Sequence, residues 1–218
     1  MNWLEPVDNY CERLDPSFWA EPLNAFTNAS FIIAGLLLLV QWRNSSPRSN
    51  LGLALVLNIL AIGIGSFLFH TLANRCSSVA DVAPITIFIH FYFLLALRKF
   101  LGVPWWMAAV ATLAFFAASP LIGSSLAPLM GSSAFYVPAL LAILGVGLAA
   151  QMKNPAIARA LFIAGAIFAI SIAYRAADLA LCDLHPQGTH ARWHLLNGIV
   201  LYLLVRLYMN STATPATR

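Results

Sequence analysis

Apolar residues dominate the chain in seven long segments separated by short polar connections. The segments lie at about 23–42, 51–72, 80–98, 104–121, 133–151, 156–177 and 190–208. Each comes close to the ~20 residues that an α-helix needs to cross the hydrocarbon core of a bilayer. The pattern predicts an all-α fold, a bundle of seven transmembrane helices.

The segment boundaries also predict the division of the chain. The stretch from Phe100 to Met152 carries no charge and is too long for one crossing. We place its break at the Ser- and Gly-rich sites 119–125 and 131–133, because these residues are typical of turns. We expect a polar N-terminal cap at 1–22, a transmembrane domain at 23–208 and a disordered tail at 209–218.

The composition agrees with a membrane protein. Hydrophobic residues make up 61% of the chain and charged residues 9%, whereas soluble domains carry about 25% charged residues. We predict a multi-pass protein of a bacterial inner membrane or of an endomembrane such as the ER or Golgi. The net charge of +4 comes from scattered basic residues, so nucleic acid is not an expected partner.

The basic residues predict an orientation, because Lys and Arg are enriched in cytoplasmic loops. With the N-terminus outside, the inner side holds Arg43, Arg48, Arg98, Lys99, Lys153, Arg159, Arg206 and Arg218. The outer side holds Arg13, Arg75, Arg175 and Arg192. All acidic residues also fall on the outer side. We therefore predict a periplasmic or luminal N-terminus and a cytoplasmic C-terminus.

Histidines stand at the outer ends of two segments. His70 closes the second segment, four residues after Ser66, and His190 and His194 open the seventh. Residues four apart lie on one face of a helix, so three imidazoles from two helix ends can meet. Three protein nitrogens with one open position are typical of a catalytic zinc site.

Asp81 and Ser66 complete a hypothesis for hydrolysis. Zinc lowers the pKa of a bound water toward ~7. Asp81 could accept a proton from that water and later protonate the leaving group, and Ser66 could donate a hydrogen bond to the oxyanion. Ser66 could instead be a small residue at a helix contact.

The other polar residues of the segments receive structural interpretations. We assign His90 to a hydrogen bond within its own helix and expect His185 to be solvated. Arg175 and Asp178, three residues apart, are predicted to form a structural pair.

The cap suggests a second metal and a disulfide. Its carboxylates Asp8, Glu12, Asp15 and Glu21 are hard oxygen ligands that suit calcium. All three cysteines map to the outer side, where an oxidising compartment permits a disulfide. A bridge from Cys11 to Cys182 and three free thiols both remain open at this point.

Together these residues resemble a known family, the alkaline ceramidases, within the seven-span membrane hydrolases that include the adiponectin and progestin receptors. The resemblance rests on Gly65-Ser66-x-x-x-His70, Asp81 and His190-x-x-x-His194, with Tyr10-Cys11-Glu12 and Ala20 to Asn28 in the N-terminal region. It spans nearly the whole chain. Two positions depart from the family pattern: Asn9 replaces an expected acid, and Leu14 replaces an expected asparagine.

The resemblance implies an amidase that cleaves ceramide-like lipids into a sphingoid base and a fatty acid. It implies zinc on His70, His190 and His194, with Ser66 and Asp81 beside the zinc-bound water. It also implies a calcium site that includes Glu12 and Glu21, and a disulfide between Cys11 and Cys182. The substrate would be a membrane lipid whose acyl chain lies among segments two, three, five, six and seven.

Two other classes of function compete with hydrolysis. A seven-span lipid receptor or transducer could use the same scaffold, but a purely structural zinc would need a fourth protein ligand. A haem or proton carrier could use paired histidines, and haem would give the purified protein a visible redox spectrum.

Overall fold

The computed structural model describes residues 2–213, and their regular structure is helical. The α-helices are α1 (Pro22–Thr27), α2 (Ala29–Asn44), α3 (Asn50–Leu72), α4 (Arg75–Leu101), α5 (Trp105–Met130), α6 (Val137–Ala150), α7 (Pro155–Ala177) and α8 (His190–Ala213). Short 3₁₀ helices lie at Gly131–Tyr136 and Leu179–Leu181. An isolated β-bridge joins Pro6 to Asn74.

Six helical stretches within residues 2–213 are long and apolar enough to cross a membrane. They are Pro22–Asn44, Asn50–Leu72, Arg75–Leu101, Trp105–Ala150, Pro155–Ala177 and His190–Thr212. The all-helical expectation is therefore confirmed, and the described chain has the helices of a multi-pass membrane protein. The first stretch combines α1 and α2, which meet at Asn28 rather than forming the single predicted helix.

The fourth stretch contains both central predicted segments. Its 46 residues are more than twice the ~20 needed for one crossing. The predicted break at 119–125 is wrong, since α5 continues through Pro120 to Met130. The other predicted break, at 131–133, is confirmed, because the chain turns at Gly131, which has a positive φ of 57°. A β-carbon at Gly123 would overlap the Phe135 ring, so the 3₁₀ segment folds back against α5.

A tight connection brings the end of α3 beside the start of α4. Ala73 ends α3 in the left-handed conformation, with φ 40°. Asn74 then starts α4 with a capping box, in which Asn74 and Ser77 exchange side-chain-to-backbone hydrogen bonds. This box starts α4 at Arg75, five residues before the predicted segment. His70 and Asp81 consequently lie at the same end of the bundle.

Apolar side chains cover both the inside and the outside of the bundle. Leu38, Leu55, Ile59, Leu95 and Leu161 are almost completely buried in a core shared by the long helices. Outward-facing residues are also apolar, including Leu37, Ile64, Leu113, Leu148 and Ile170. Such extensive exposed apolar surface is expected where lipid, rather than water, is the solvent.

The cap packs onto the α3–α4 connection. The Val7 N–H donates to the Ala73 carbonyl at 2.8 Å, and the Arg75 N–H donates to the Glu5 carbonyl at 3.1 Å. A disulfide joins Cys11 to Cys182, with 5.4 Å between their Cα atoms, which settles the alternative left open by the cysteines. Cys76 is free and exposed.

The predicted C-terminal tail needs a correction. Helix α8 continues to Ala213, so residues 209–213 are helical, and Met209 packs in the core. The rest of the predicted tail, 214–218, lies outside the described residues.

Candidate metal centre

Three histidines converge where α3 ends and α8 begins. His70 lies in the last turn of α3, and His190 and His194 lie in the first two turns of α8. One ligand nitrogen from each ring lies within 4.8 Å of the other two. All three side chains are fully buried. Three buried histidines in this arrangement can hold a metal ion.

Within residues 2–213, one buried nitrogen of each ring has no hydrogen-bond partner. These nitrogens are Nε2 of His70, Nδ1 of His190 and Nε2 of His194. Buried polar atoms nearly always have a hydrogen-bond partner, so three orphaned nitrogens in one cluster are unusual. A metal ion would satisfy all three at once. The cluster therefore fits zinc with three nitrogen ligands and an open fourth position.

Two side chains orient the rings of His70 and His194 by binding the nitrogen opposite the ligand nitrogen. Glu21 Oε2 lies 2.6 Å from His70 Nδ1, and a carboxylate there accepts the Nδ1 proton. Thr27 Oγ1 lies 2.9 Å from His194 Nδ1, while the same hydroxyl donates to the Leu23 carbonyl. His194 therefore donates to Thr27, and both rings keep a free Nε2 lone pair.

The pKa of Glu21 agrees with this arrangement. Burial alone raises it, but the hydrogen bonds from His70, Arg13 and Asn24 outweigh burial and hold it below its usual range. The carboxylate that binds His70 Nδ1 is therefore ionised.

Asp178 anchors the start of α8. Its Oδ1 accepts hydrogen bonds from the backbone N–H groups of Thr189 and His190, and its Oδ2 accepts from the Cys11 N–H at 3.1 Å. Gly188, with φ 67°, brings the chain so close to Asp178 that a β-carbon would overlap Oδ1. The position of His190 is thus fixed from both the cap and the end of α7.

Ser66 and Asp81 face each other beside His70. Both are buried, and the Ser66 side chain lies close enough to the Asp81 carboxylate to interact with it. Helices α3 and α4 approach closely here, because a β-carbon at Gly65 would overlap the Ala80 carbonyl oxygen. Among the described residues, Asp81 Oδ1 has no hydrogen-bond partner. Asp81 is not one of the clustered ligands, so its free oxygen can act on a proton.

Arg175 occupies an aromatic box next to the cluster. Its guanidinium lies over the rings of Tyr10, Tyr136 and Trp193, at 5.9, 5.1 and 5.6 Å from their centroids. Tyr10 in turn stacks on His190, with 3.8 Å between centroids. The predicted pair of Arg175 with Asp178 is wrong: no ion pair joins them in the described structure, because Asp178 caps α8 instead.

The four acidic residues predicted to bind calcium do not come together as one set of ligands. Within residues 2–213, the histidine trio is the cluster whose ligand atoms converge. Both oxygens of Glu12 accept backbone N–H groups of α1, at 2.6 and 2.8 Å. Asp8 is exposed, and so is Asp15, whose Oδ1 accepts the Ser17 N–H at 2.7 Å. Both oxygens of Glu21 are bound to side chains.

An apolar cavity lies inside the bundle, next to the cluster. Its walls come from α2, α3, α4, α6, α7 and α8, and include Phe31, Ile62, Phe88, Ile143, Phe168 and Leu204. The cavity lies among the helices predicted to surround the acyl chain, those of segments two, three, five, six and seven. Phe31 adds a wall from α2. The Phe31 ring also contacts His194, with 6.0 Å between centroids. A long apolar chain in the cavity would therefore lie close to His194.

The remaining histidines behave as expected. His90 Nδ1 lies 2.8 Å from the Thr86 carbonyl of its own helix, and His185 is exposed. The sequence interpretation missed Arg13, Thr27 and Asp178 as neighbours of the ligands. Thr27 was visible within the N-terminal signature, whereas nothing in the spacing of Arg13 or Asp178 indicated their contacts.

Comparison with known proteins assigns the chain to a family. Residues 7–216 match the model of one protein family, whose description is Ceramidase. The match covers nearly the whole chain, including the three histidines, Ser66 and Asp81. No curated protein sequence matches the chain. The chain therefore belongs to the Ceramidase family.

Proposed function

We propose that the protein is a zinc-dependent intramembrane amidase that hydrolyses ceramide-like N-acyl sphingoid lipids to a sphingoid base and a fatty acid. The observation that carries this proposal is the group of three unpartnered histidine nitrogens beside the buried side chains of Ser66 and Asp81, next to an apolar cavity. Membership of the Ceramidase family supports the choice of substrate.

The metal would be held by His70, His190 and His194. When bound, zinc supplies a Lewis acid that polarises a carbonyl and lowers the pKa of water. Asp81 accepts the proton of the attacking water through its free Oδ1 and later delivers a proton to the departing amine nitrogen. Cleavage of the amide bond then yields the free fatty acid and the amine.

Ser66 has two tasks in this proposal. In the free enzyme, its side chain lies beside Asp81 and helps to orient the carboxylate. As the carbonyl carbon becomes tetrahedral, the hydroxyl can rotate to donate a hydrogen bond to the developing oxyanion. Meanwhile, the apolar cavity holds the acyl chain. Its aromatic walls exclude water from the side of the site that faces the interior of the bundle.

We also propose seven membrane crossings with the N-terminus outside. The stretch Trp105–Ala150 turns at Gly131 and so provides two of the crossings. In this orientation the cap, the disulfide and the histidine cluster share the periplasmic or luminal side. The inner side carries the excess of basic residues.

The test compares detergent-purified wild type with His194→Ala, using His185→Ala as the control because His185 is exposed. We expect one zinc per chain and release of fatty acid from a panel of ceramides in the wild type and the control. His194→Ala should lose both. Zinc without cleavage of any ceramide would favour the lipid receptor, and absence of zinc would overturn the proposal.

A further inference from the structure

Arg13 is a buried cation in the middle of the cap. The residue is 7% exposed, although it stands in a polar segment at the end of the bundle. An arginine is seldom buried unless its charge is paired. Its contacts therefore indicate what the guanidinium does there.

Oxygen atoms from three parts of the chain surround the guanidinium. Its Nε donates to Glu21 Oε1 at 2.6 Å, and its Nη2 donates to the His70 carbonyl at 3.1 Å. Its Nη1 donates to the carbonyls of Asp15 and Ser17, at 3.1 and 3.4 Å. One carboxylate and three backbone carbonyls are the kind of oxygen set that calcium collects in proteins.

These contacts compete with calcium for the oxygens of Glu21. The Arg13 guanidinium, itself a cation, already occupies the space between the oxygens. The two carboxylate oxygens of Glu21 are divided between Arg13 on one side and His70 with Asn24 on the other. Glu12 is likewise occupied by the backbone of α1.

We propose that Arg13 is the resident cation of the cap: it takes the place of a calcium ion and positions His70 for metal binding. The guanidinium holds His70 twice, through its backbone carbonyl and, by way of Glu21, through its Nδ1. The carbonyl contact lies at the C-terminal end of α3, where a cation is favourable. The positioning role rests on the proposed zinc function, whereas independence from calcium does not.

The planar guanidinium group, with its several N–H donors, explains why an arginine is needed. Four hydrogen bonds in a fixed plane tie Glu21, the Asp15–Ser17 turn and α3 together. A lysine would bring the charge but only a single ammonium group, which cannot span these positions. Removing the charge altogether would leave the buried Glu21 carboxylate with only His70 and Asn24 as side-chain partners.

The test measures zinc affinity by chelator competition and thermal stability, each with calcium or with a calcium chelator that spares zinc. Arg13→Met removes the charge and keeps the apolar stem, and Arg13→Lys is the conservative variant. Arg75→Met is the matched control, because Arg75 pairs with Glu5 at the exposed surface of the same cap.

We expect calcium to change neither the melting temperature nor the zinc affinity of the wild type. Arg13→Met should weaken zinc binding by about 10- to 100-fold, as loss of an outer-shell partner typically does. Arg13→Lys should recover part of that loss, and Arg75→Met should bind zinc like the wild type. If Arg13→Met does not fold, the comparison of Arg13→Lys with the wild type carries the test.

Other outcomes would overturn the inference. Calcium-dependent stabilisation of the wild type would show that Arg13 is not the cation of the cap. Wild-type zinc affinity in Arg13→Met, or in Arg13→Lys where that variant carries the test, would remove the positioning role. Zinc absent from the wild type would contradict the proposed function and the positioning role together. The calcium response would then test by itself whether Arg13 takes the place of calcium in the cap.

Discussion

At the scale of single residues, the candidate centre separates metal ligands from the groups that orient them. The ligand nitrogens have no hydrogen-bond partner in the described part of the chain, while Glu21 and Thr27 bind the opposite nitrogens of two rings. Asp81 lies outside the ligand set and keeps one oxygen free. This division assigns metal binding and proton transfer to different side chains.

A substitution at Asp81 tests that division. Asp81→Asn keeps the size of the side chain but cannot accept a proton, so we expect kcat to fall by at least ~10²-fold. Zinc content should stay at the wild-type level, because Asp81 is not among the clustered ligands. The measurements are fatty-acid release and metal content of the same sample.

The matched control is Asp183→Asn, which changes an exposed acid near the start of α8. This control should retain wild-type turnover. Full activity in Asp81→Asn, or loss of zinc along with activity, would contradict the acid–base role.

At the scale of elements, the spacing between α3 and α4 sets the geometry of the Ser66–Asp81 pair. The two helices touch at Gly65, where even a β-carbon would overlap the Ala80 carbonyl. Small residues allow such close approach between membrane helices. The resemblance included Gly65 in its motif, and the structure supplies the physical reason for a glycine at that position.

Gly65→Ala should therefore separate the two helices. We expect a loss of about 1–3 kcal/mol in stability, typical of overpacking, together with a lower kcat because Ser66 and Asp81 move apart. Thermal unfolding in detergent and fatty-acid release provide the two measurements.

Gly145→Ala is the control for this substitution. Gly145 lies in α6 with open space where its β-carbon would be, so alanine should be neutral or stabilise by up to about 1 kcal/mol. Equal behaviour of the two variants would mean that the α3–α4 contact does not govern the site.

At the scale of the whole molecule, the polar features collect at one end of the bundle. The disulfide, the cap, the histidine cluster and the free Cys76 all belong to that end. If the proposed orientation is correct, a thiol reagent that cannot cross membranes should label Cys76 in intact cells or in vesicles that keep the outer side exposed.

The control for labelling places a cysteine at the other end. In a Cys76→Ser background, Ser46→Cys lies in the exposed connection between α2 and α3. This variant should react only after the membrane is permeabilised. The reverse pattern would place the N-terminus inside, and labelling of both sites in sealed vesicles would contradict the spanning arrangement.

The sequence by itself determined the helical membrane architecture and the candidate ligands. Both depend on spacing along the chain: apolar segments of membrane length, and His190 and His194 one helical turn apart. The prediction failed where the local sequence allowed more than one position for the end of a helix. The serines and Pro120 at 119–125 did not end α5, because a long apolar helix tolerates them, and the chain turned at Gly131, in the other predicted break.

Only the tertiary structure decided which polar side chains support the ligands. Arg13 reaches His70 across 57 positions of the chain, and Asp178 reaches Cys11 across 167. The pairing of Arg175 and Asp178 failed for the same reason, since each found a partner on another element. Such contacts depend on distances between elements rather than on spacing within one, and packing of the helices sets those distances.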